Sequence, residues 1–340
     1  MNKPKYGFTE FIDSSRDSAH FRTVVNDDLP NPFGKIAART HIERRQIAHS
    51  TVDITDMVRL AVTSLFEKLN INGKNCAGLV LASCNSQDQS DTLDNIASRA
   101  ASTHEIGQSE SLNYACSGFP AAIEKAMEMD NEEGRHIIVI MAELLSNIVD
   151  WDDENTAVVF GDGLAVTSII PGGKHQILDA WARGDVDDPK NCLGFERKKG
   201  TMAVDGSVND EIERLVITMG KHGGRYLYKD VPQALLKLAD DPRFGGLQGI
   251  DRIVPHQANG KFIEKIIALL KKLGLEKEIP VVGTISDQAN TASASIPTAL
   301  AKTIDTYRPG EIIACPAKGA GIEFEEGKLS HGLLVFKVGE

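Results

Sequence analysis

Short apolar runs alternate along this chain with longer segments in which apolar positions recur every three or four residues. Residues 78–83, 137–141, 157–160 and 164–169 read as strands in the first half. Residues 253–254, 312–315 and 333–338 read as strands in the second half. Helical spacing falls at 52–69, 121–129, 259–273 and 296–307. Thr51 is expected to cap the first of these helices, which ends before Asn72-Gly73. Strands alternating with helices predict an α/β architecture.

No Pro/Gly/Ser-rich linker divides the chain, so any two parts must pack tightly. Pro171-Gly172-Gly173 is the best punctuation near the midpoint and places a boundary between 1–171 and 172–340. A weak echo crosses it. Ala82-Ser83-Cys84-Asn85 and Val254-Pro255-His256-Gln257 each take an apolar strand into a polar turn, a pattern expected of a diverged duplication. Residues 194–214, rich in charge and Gly, predict a surface excursion or lid.

The 340 residues carry 25% charged and 41% hydrophobic side chains, ordinary values for a soluble globular protein with a large core. A formal net charge of −11 argues against coating nucleic acid, which needs clustered Lys and Arg. The first residues lack a signal-like apolar core, and the apolar stretch 263–270 is interrupted by Glu264 and Lys265, so no membrane span is expected. Five scattered cysteines without a Cys-x-x-Cys pair predict reduced thiols in a cytoplasmic protein, with no disulfide framework and no metal site.

Three separated segments carry candidate chemistry: Ala115-Cys116-Ser117-Gly118-Phe119, Val254-Pro255-His256-Gln257-Ala258-Asn259 and Ala289-Asn290-Thr291-Ala292-Ser293-Ala294-Ser295. The spacing of Phe119, Ile123 and Met127 puts Cys116 at a helix N-terminus, where free N–H groups would favour a thiolate. Taken alone, a cysteine is more often an inert core residue, His256 a loop or capping residue, and Asn290 a turn residue. Together they supply a nucleophile, a proton-handling ring and a neutral hydrogen-bond donor, which suits covalent acyl transfer.

These segments, in this order, resemble the thiolase superfamily, and more narrowly its β-ketoacyl-ACP synthase III group. Arg39-Thr40-His41-Ile42-Glu43-Arg44-Arg45, Phe160-Gly161-Asp162-Gly163 and Gly319-Ala320-Gly321 agree with motifs of that group, so the resemblance spans roughly 38–338. It implies two similar βαβαβαββ halves in a five-layered αβαβα arrangement, dimerising through the first half. The first half (1–171) would carry the nucleophile and the second (172–340) the His and Asn. It implies that Cys116 takes an acyl group from CoA or acyl carrier protein, with no permanently bound cofactor. His256 and Asn290 would hold the thioester carbonyl of a malonyl-type donor during decarboxylation. The backbone of Cys116 and of Gly319, Ala320 and Gly321 would form an oxyanion hole. Glu143, after the strand at 137–141, is the candidate auxiliary base. Arg39, Lys261 and Lys265 are candidates for binding CoA or a carrier protein.

A Cys-His-Asn set suits decarboxylative condensation rather than deprotonation of an acetyl donor. Three departures stand out: His41 replaces the group's Gly, Lys35 falls near its expected Trp, and Asn147 falls near its expected second Arg. They favour a specialised β-ketoacyl product over fatty-acid initiation. Initiation, acyl transfer to an oxygen or nitrogen acceptor, and a non-catalytic partner subunit stand as the alternatives.

Overall fold

The computed structural model describes residues 5–30, 34, 38, 40–85, 92–131, 133–186, 193–219, 233–273, 275, 277–320 and 328–340. Arg39, Lys35 and Gly321 lie outside them. The first half contains β1 (Tyr6–Asp13), β2 (Phe21–Val25), β3 (Arg44–Ala48), α1 (Ile54–Leu69), β4 (Cys76–Ala82), α2 (Leu93–Thr103), β5 (Gln108–Leu112), α3 (Gly118–Glu128), β6 (His136–Glu143) and β7 (Gly163–Pro171). The second contains β8 (His175–Val186), β9 (Leu193–Lys198), β10 (Arg214–Met219), α4 (Gln233–Ala239), β11 (Arg252–Ile253), α5 (Gly260–Lys272), α6 (Ile285–Gln288), α7 (Ser295–Thr303), β12 (Ile312–Ala320) and β13 (Lys328–Lys337).

Strand β6 shows why the middle of the molecule is so apolar. Its side chains alternate between two cores: Ile137, Val139 and Met141 face one, and Ile138, Ile140 and Ala142 face the other. A strand covered on both faces reads as a continuous hydrophobic run. β13 does the same, with Leu334 and Phe336 in the core shared with β6 and Leu333 and Val335 in a third. That shared core also holds Phe119 and Ile123 of α3 and Ile296 and Leu300 of α7. The core beyond β6 is closed by α1 and α2, and the core beyond β13 by α4 and α5. The result is five layers: helices, sheet, helices, sheet, helices.

The strands run in the order β11-β12-β13-β8-β1-β7-β6-β4-β5. β1 and β8 join the two sides through only two residue pairs, Gly7↔Gln176 and Phe8↔His175. On one side β4 is parallel to β6, and β6 antiparallel to β7; on the other β11 is parallel to β12, and β12 antiparallel to β13. Strand order therefore mirrors about this seam.

Two local expectations are corrected and a third is refined. Residues 157–160 form turns rather than a strand, because the Asp153 carbonyl accepts from Ala157 N–H at 2.9 Å, and only Phe160 makes a bridge, to Asn290. Asp53, not Thr51, caps α1: its carboxylate accepts from Asp56 N–H at 2.8 Å, and Asn70 in the left-handed region ends the helix. The stretch 194–214 is largely the exposed connection of the β9–β10 hairpin, a surface excursion as expected, and its Met202 carbonyl accepts from Trp151 N–H at 3.0 Å, which docks it on the first half. Among the described residues no helix is long and apolar enough to cross a membrane.

Candidate active site

Asn113 begins the turn that presents Cys116. Its Oδ1 accepts from Ala115 N–H at 3.1 Å, and Ala115 takes φ 47°, a left-handed conformation uncommon outside Gly. A 3₁₀ turn over Ala115–Ser117 then leads into α3. Cys116 is 6% exposed. The thiolate expected at this helix start is not the resting form. Burial, and secondarily the neighbouring Glu143 carboxyl, push the Cys116 thiol up to about 12, because taking the charge out of water outweighs the helix start.

His256 follows β11 on an extension paired with β12, where Val254 and His256 N–H groups donate to the Ala314 and Pro316 carbonyls. Gln257 locks the turn: its Nε2 donates to the Pro255 carbonyl at 2.7 Å, and its Oε1 accepts from Thr284 N–H at 2.8 Å. Asn259 then caps α5, accepting from Phe262 N–H at 3.0 Å. Thus Gln257 and Asn259 have positioning tasks that the sequence pattern showed only as neighbours of a His. The His256 ring is 1% exposed, with Nδ1 2.7 Å from Ser295 Oγ and Nε2 buried without a protein partner. Burial lowers its pKa to about 3, so the ring is neutral at pH 7.

Asn290 is held by the first half. Its N–H donates to the Val159 carbonyl and its carbonyl accepts from Gly161 N–H, at 3.0 and 3.1 Å. Its Oδ1 accepts from Ala292 N–H at 3.0 Å, which leaves the side-chain NH₂ as the end that can donate elsewhere. Gly163 is small for a packing reason: an added Cβ would lie 2.6 Å from Thr291 Cβ. The Phe-Gly-Asp-Gly segment thus serves as a platform for the Asn290 turn.

The two turns meet. A Cβ added at Gly118 would lie 2.7 Å from Ser293 Cβ, and one at Gly319 would lie 2.7 Å from the Cys116 nitrogen. His256 joins through Ser295, two residues past Ser293. The segments carrying Cys116, His256, Asn290 and Gly319 are therefore neighbours in the fold, and Ala320 shares an apolar cluster with Cys116. Glu143, at the end of β6, reaches the same place: Oε2 accepts from Cys84 N–H at 2.9 Å, and Oε1 from Ser293 N–H at 3.2 Å and from the Ser293 hydroxyl. Burial raises its carboxyl to about 7 despite these donors. Neither spacing nor residue type points to Cys84, Ser293 or Ser295 as members of this cluster. Lys261 is exposed on α5 and ion-paired with Glu264 at 2.8 Å, while burial lowers the pKa of Lys265 on the same helix. His41 stands with φ 60° against Gly260, where an added Cβ would meet the imidazole.

Comparison with known proteins places the chain in a family. The profile of 3-oxoacyl-[acyl-carrier-protein (ACP)] synthase III matches residues 111–185, and that of its C-terminal part matches 246–326. The chain is 30% identical over 298 residues to a β-ketoacyl-[acyl-carrier-protein] synthase III of Wolbachia sp. subsp. Brugia malayi, covering 84% of this chain and 87% of the relative. It is 26% identical over 311 residues to one from Trichodesmium erythraeum, covering 89% of each. The priming β-ketosynthase of the R1128 polyketide pathway superposes with a TM-score of 0.72 at 19% identity, over 100% of this chain and 99% of that one. With its five layers and these matches, the chain has the thiolase-like fold and belongs to the 3-oxoacyl-[acyl-carrier-protein] synthase III family.

Proposed function

We propose that this protein is a β-ketoacyl synthase III-type acyltransferase that forms C–C bonds by decarboxylative condensation. The observation that supports the reading is that neighbouring turns carry a buried thiol, a buried imidazole with an unpartnered Nε2, and an Asn amide fixed at its oxygen end. Cys116 sulfur attacks the carbonyl of an acyl thioester, and the donor's thiol leaves with the Cys116 proton. A malonyl-type thioester then binds with its carbonyl oxygen facing His256 and Asn290. Its C–CO₂ bond breaks, carbon dioxide departs, and the electron pair moves onto that oxygen as an enolate. The enolate carbon attacks the Cys116 thioester, the C–S bond breaks, the released Cys116 thiolate takes a proton from water, and the β-ketoacyl product leaves. The Cys116 N–H with the backbone of Gly319, Ala320 and Gly321 steadies the tetrahedral oxyanion, an effect worth about 2.7–4 kcal/mol per donor in such sites.

Glu143 takes the role of an auxiliary proton-holding group, supported by a carboxyl raised to about 7 at the edge of the cluster. Arg39, Lys261 and Lys265 receive the donor's CoA or carrier protein, and no permanently bound cofactor takes part. The two halves, 1–171 and 172–340, are copies of one unit, as the mirrored strand order supports. Two chains pair as a cytoplasmic homodimer through the first half. The departure at His41 favours a specialised β-ketoacyl product over fatty-acid initiation.

The test is intact-protein mass after incubation with a panel of acyl-CoAs and acyl carrier proteins, beside Cys116→Ala. A single adduct absent from the variant, discharged by a malonyl donor with release of carbon dioxide, is expected. Discharge without carbon dioxide would replace condensation by acyl transfer to oxygen or nitrogen. Absence of any adduct would leave a partner-subunit role.

A further inference from the structure

Ser295 is the first residue of α7, 1% exposed, and its hydroxyl faces two groups of the His256 turn. One is Gln257 N–H, which donates to Ser295 Oγ at 3.4 Å. The other is His256 Nδ1 at 2.7 Å. An amide nitrogen can only donate, so of these two neighbours only Nδ1 can accept the hydroxyl proton. Were Nδ1 protonated instead, Ser295 Oγ would receive two donors and its own buried proton would face neither of them. The consistent pattern is Gln257 N–H to Ser295 Oγ, and Ser295 O–H to Nδ1. A neutral imidazole carries one N–H, which then sits on Nε2.

We infer that Ser295 is a positioning residue that selects the Nε2–H tautomer of His256, making this ring a hydrogen-bond donor toward the substrate rather than a base. The inference rests on the reaction proposed above. Its mechanistic content is specific. With Nε2 already protonated, the ring cannot take the Cys116 proton there, so that proton leaves with the donor's thiol. The Nε2–H, buried and without a protein partner, is available to the malonyl-type carbonyl oxygen as negative charge develops on it. Asn290 shows the same logic, since Ala292 N–H occupies its Oδ1 and turns its NH₂ outward. Ser295 and Ala292, three residues apart on one turn, thus set two donors for one oxygen.

Long-range proton–nitrogen correlation spectra of protein labelled with nitrogen-15 histidine read the tautomer directly, with His256 identified by its absence in His256→Gln. The expected result is a proton on Nε2 in the wild-type protein; a proton on Nδ1 would overturn the inference. Ser295→Ala should load Cys116 at the wild-type rate but release carbon dioxide from a malonyl thioester about tenfold more slowly, the scale of one lost positioning bond. Ser295→Thr, which keeps the hydroxyl, should restore that rate. Equal loss of loading and decarboxylation in Ser295→Ala, or no loss of either, would reduce Ser295 to a packing residue. If the wild-type enzyme loads no acyl group, the proposed reaction fails, while the spectra still decide the tautomer.

Discussion

The turns at 113–118 and 290–295 are built alike and used differently. Each opens on an Asn whose Oδ1 accepts the N–H two residues on, at 3.1 Å in Asn113 and 3.0 Å in Asn290. Each places an Ala in the left-handed region, with φ 47° at Ala115 and 43° at Ala292. Each then runs through a 3₁₀ turn into a buried helix, and the residue after the strained Ala is Cys116 in one and Ser293 in the other. What surrounds that residue differs. Ser293 N–H and hydroxyl are both taken by Glu143, which pairs with Gly163 at the end of β6. In the mirrored strand β12 the residue paired with a Gly that packs on the opposing turn is Ala317, opposite Gly332. One cradle is filled by the protein's own carboxylate, and its counterpart holds a methyl group. The comparison teaches that the backbone device is general and that what differs between the two turns is the side chain set against each, a carboxylate at 143 and a methyl at 317.

Placing the carboxylate on the other side is the strongest way to break this comparison. Ala317→Glu should abolish adduct formation on Cys116 and cost about 3–5 kcal/mol, since the new carboxylate has no buried partner. Intact mass and denaturant unfolding check both; a variant that still loads acyl groups would show that position 317 does not guard the cradle. Exchanging the two Asn residues for Ala sharpens it. Asn290→Ala should slow carbon dioxide release about 10²–10³-fold while the adduct persists, as loss of one oxyanion donor does elsewhere. Asn113→Ala removes only a turn bond and should cost about 1 kcal/mol with decarboxylation little changed. Comparable losses of turnover in both would mean that the amide acts through the turn alone.

The smallest effect is a slope. The Glu143 carboxyl lies near 7 when folded against an ordinary 4.5, so the folded state holds its proton more tightly. Between these values unfolding releases that proton, and its contribution to stability falls as pH rises from 4.5 through 7. His256, lowered from 6.5 to about 3, acts in the opposite sense, with stability lost as pH falls through that window. Glu143→Gln should therefore remove only the first slope. Thermal unfolding of the two proteins across this range reads the difference, and parallel curves would place the Glu143 carboxyl near its ordinary value.

Much of this was legible in the sequence, for physical reasons that differ by element. β6 and β12 announce themselves because both faces are covered, so 137–142 and 312–317 are apolar or small throughout. β8 did not: its Asp179 and Arg183 make ion pairs with Arg243 and Glu124, and such charges dilute a strand's pattern. β5, with the sequence Gln-Ser-Glu-Ser-Leu, is a half-exposed strand at the end of the sheet and carries almost no apolar signal. Cys116, His256 and Asn290 could be singled out because each sits in a motif shared with a known family. Ser293, Glu143 and Cys84 meet only through folding, as do Ser295 and His256. The likeness of the two turns is itself written as Asn-x-Ala-x-x-x-x-Pro-x-Ala at 113–122 and 290–299, yet without coordinates nothing ties that spacing to a shared geometry.

The tether between Asn290 and the Phe160-Gly161 platform also bears on how the molecule comes into being. Asn290 stands in its place only once the Val159 carbonyl and Gly161 N–H have received it, and Ser293 only once Glu143, 150 residues earlier, has closed on it. Contacts of such sequence separation form late and slowly, because loop closure must be met before they contribute. On a growing chain the Cys116 turn emerges long before its partners, as a protonated thiol without His256 or Asn290 beside it. Chemical competence is then among the last properties this chain acquires, and it arrives only with the completed fold.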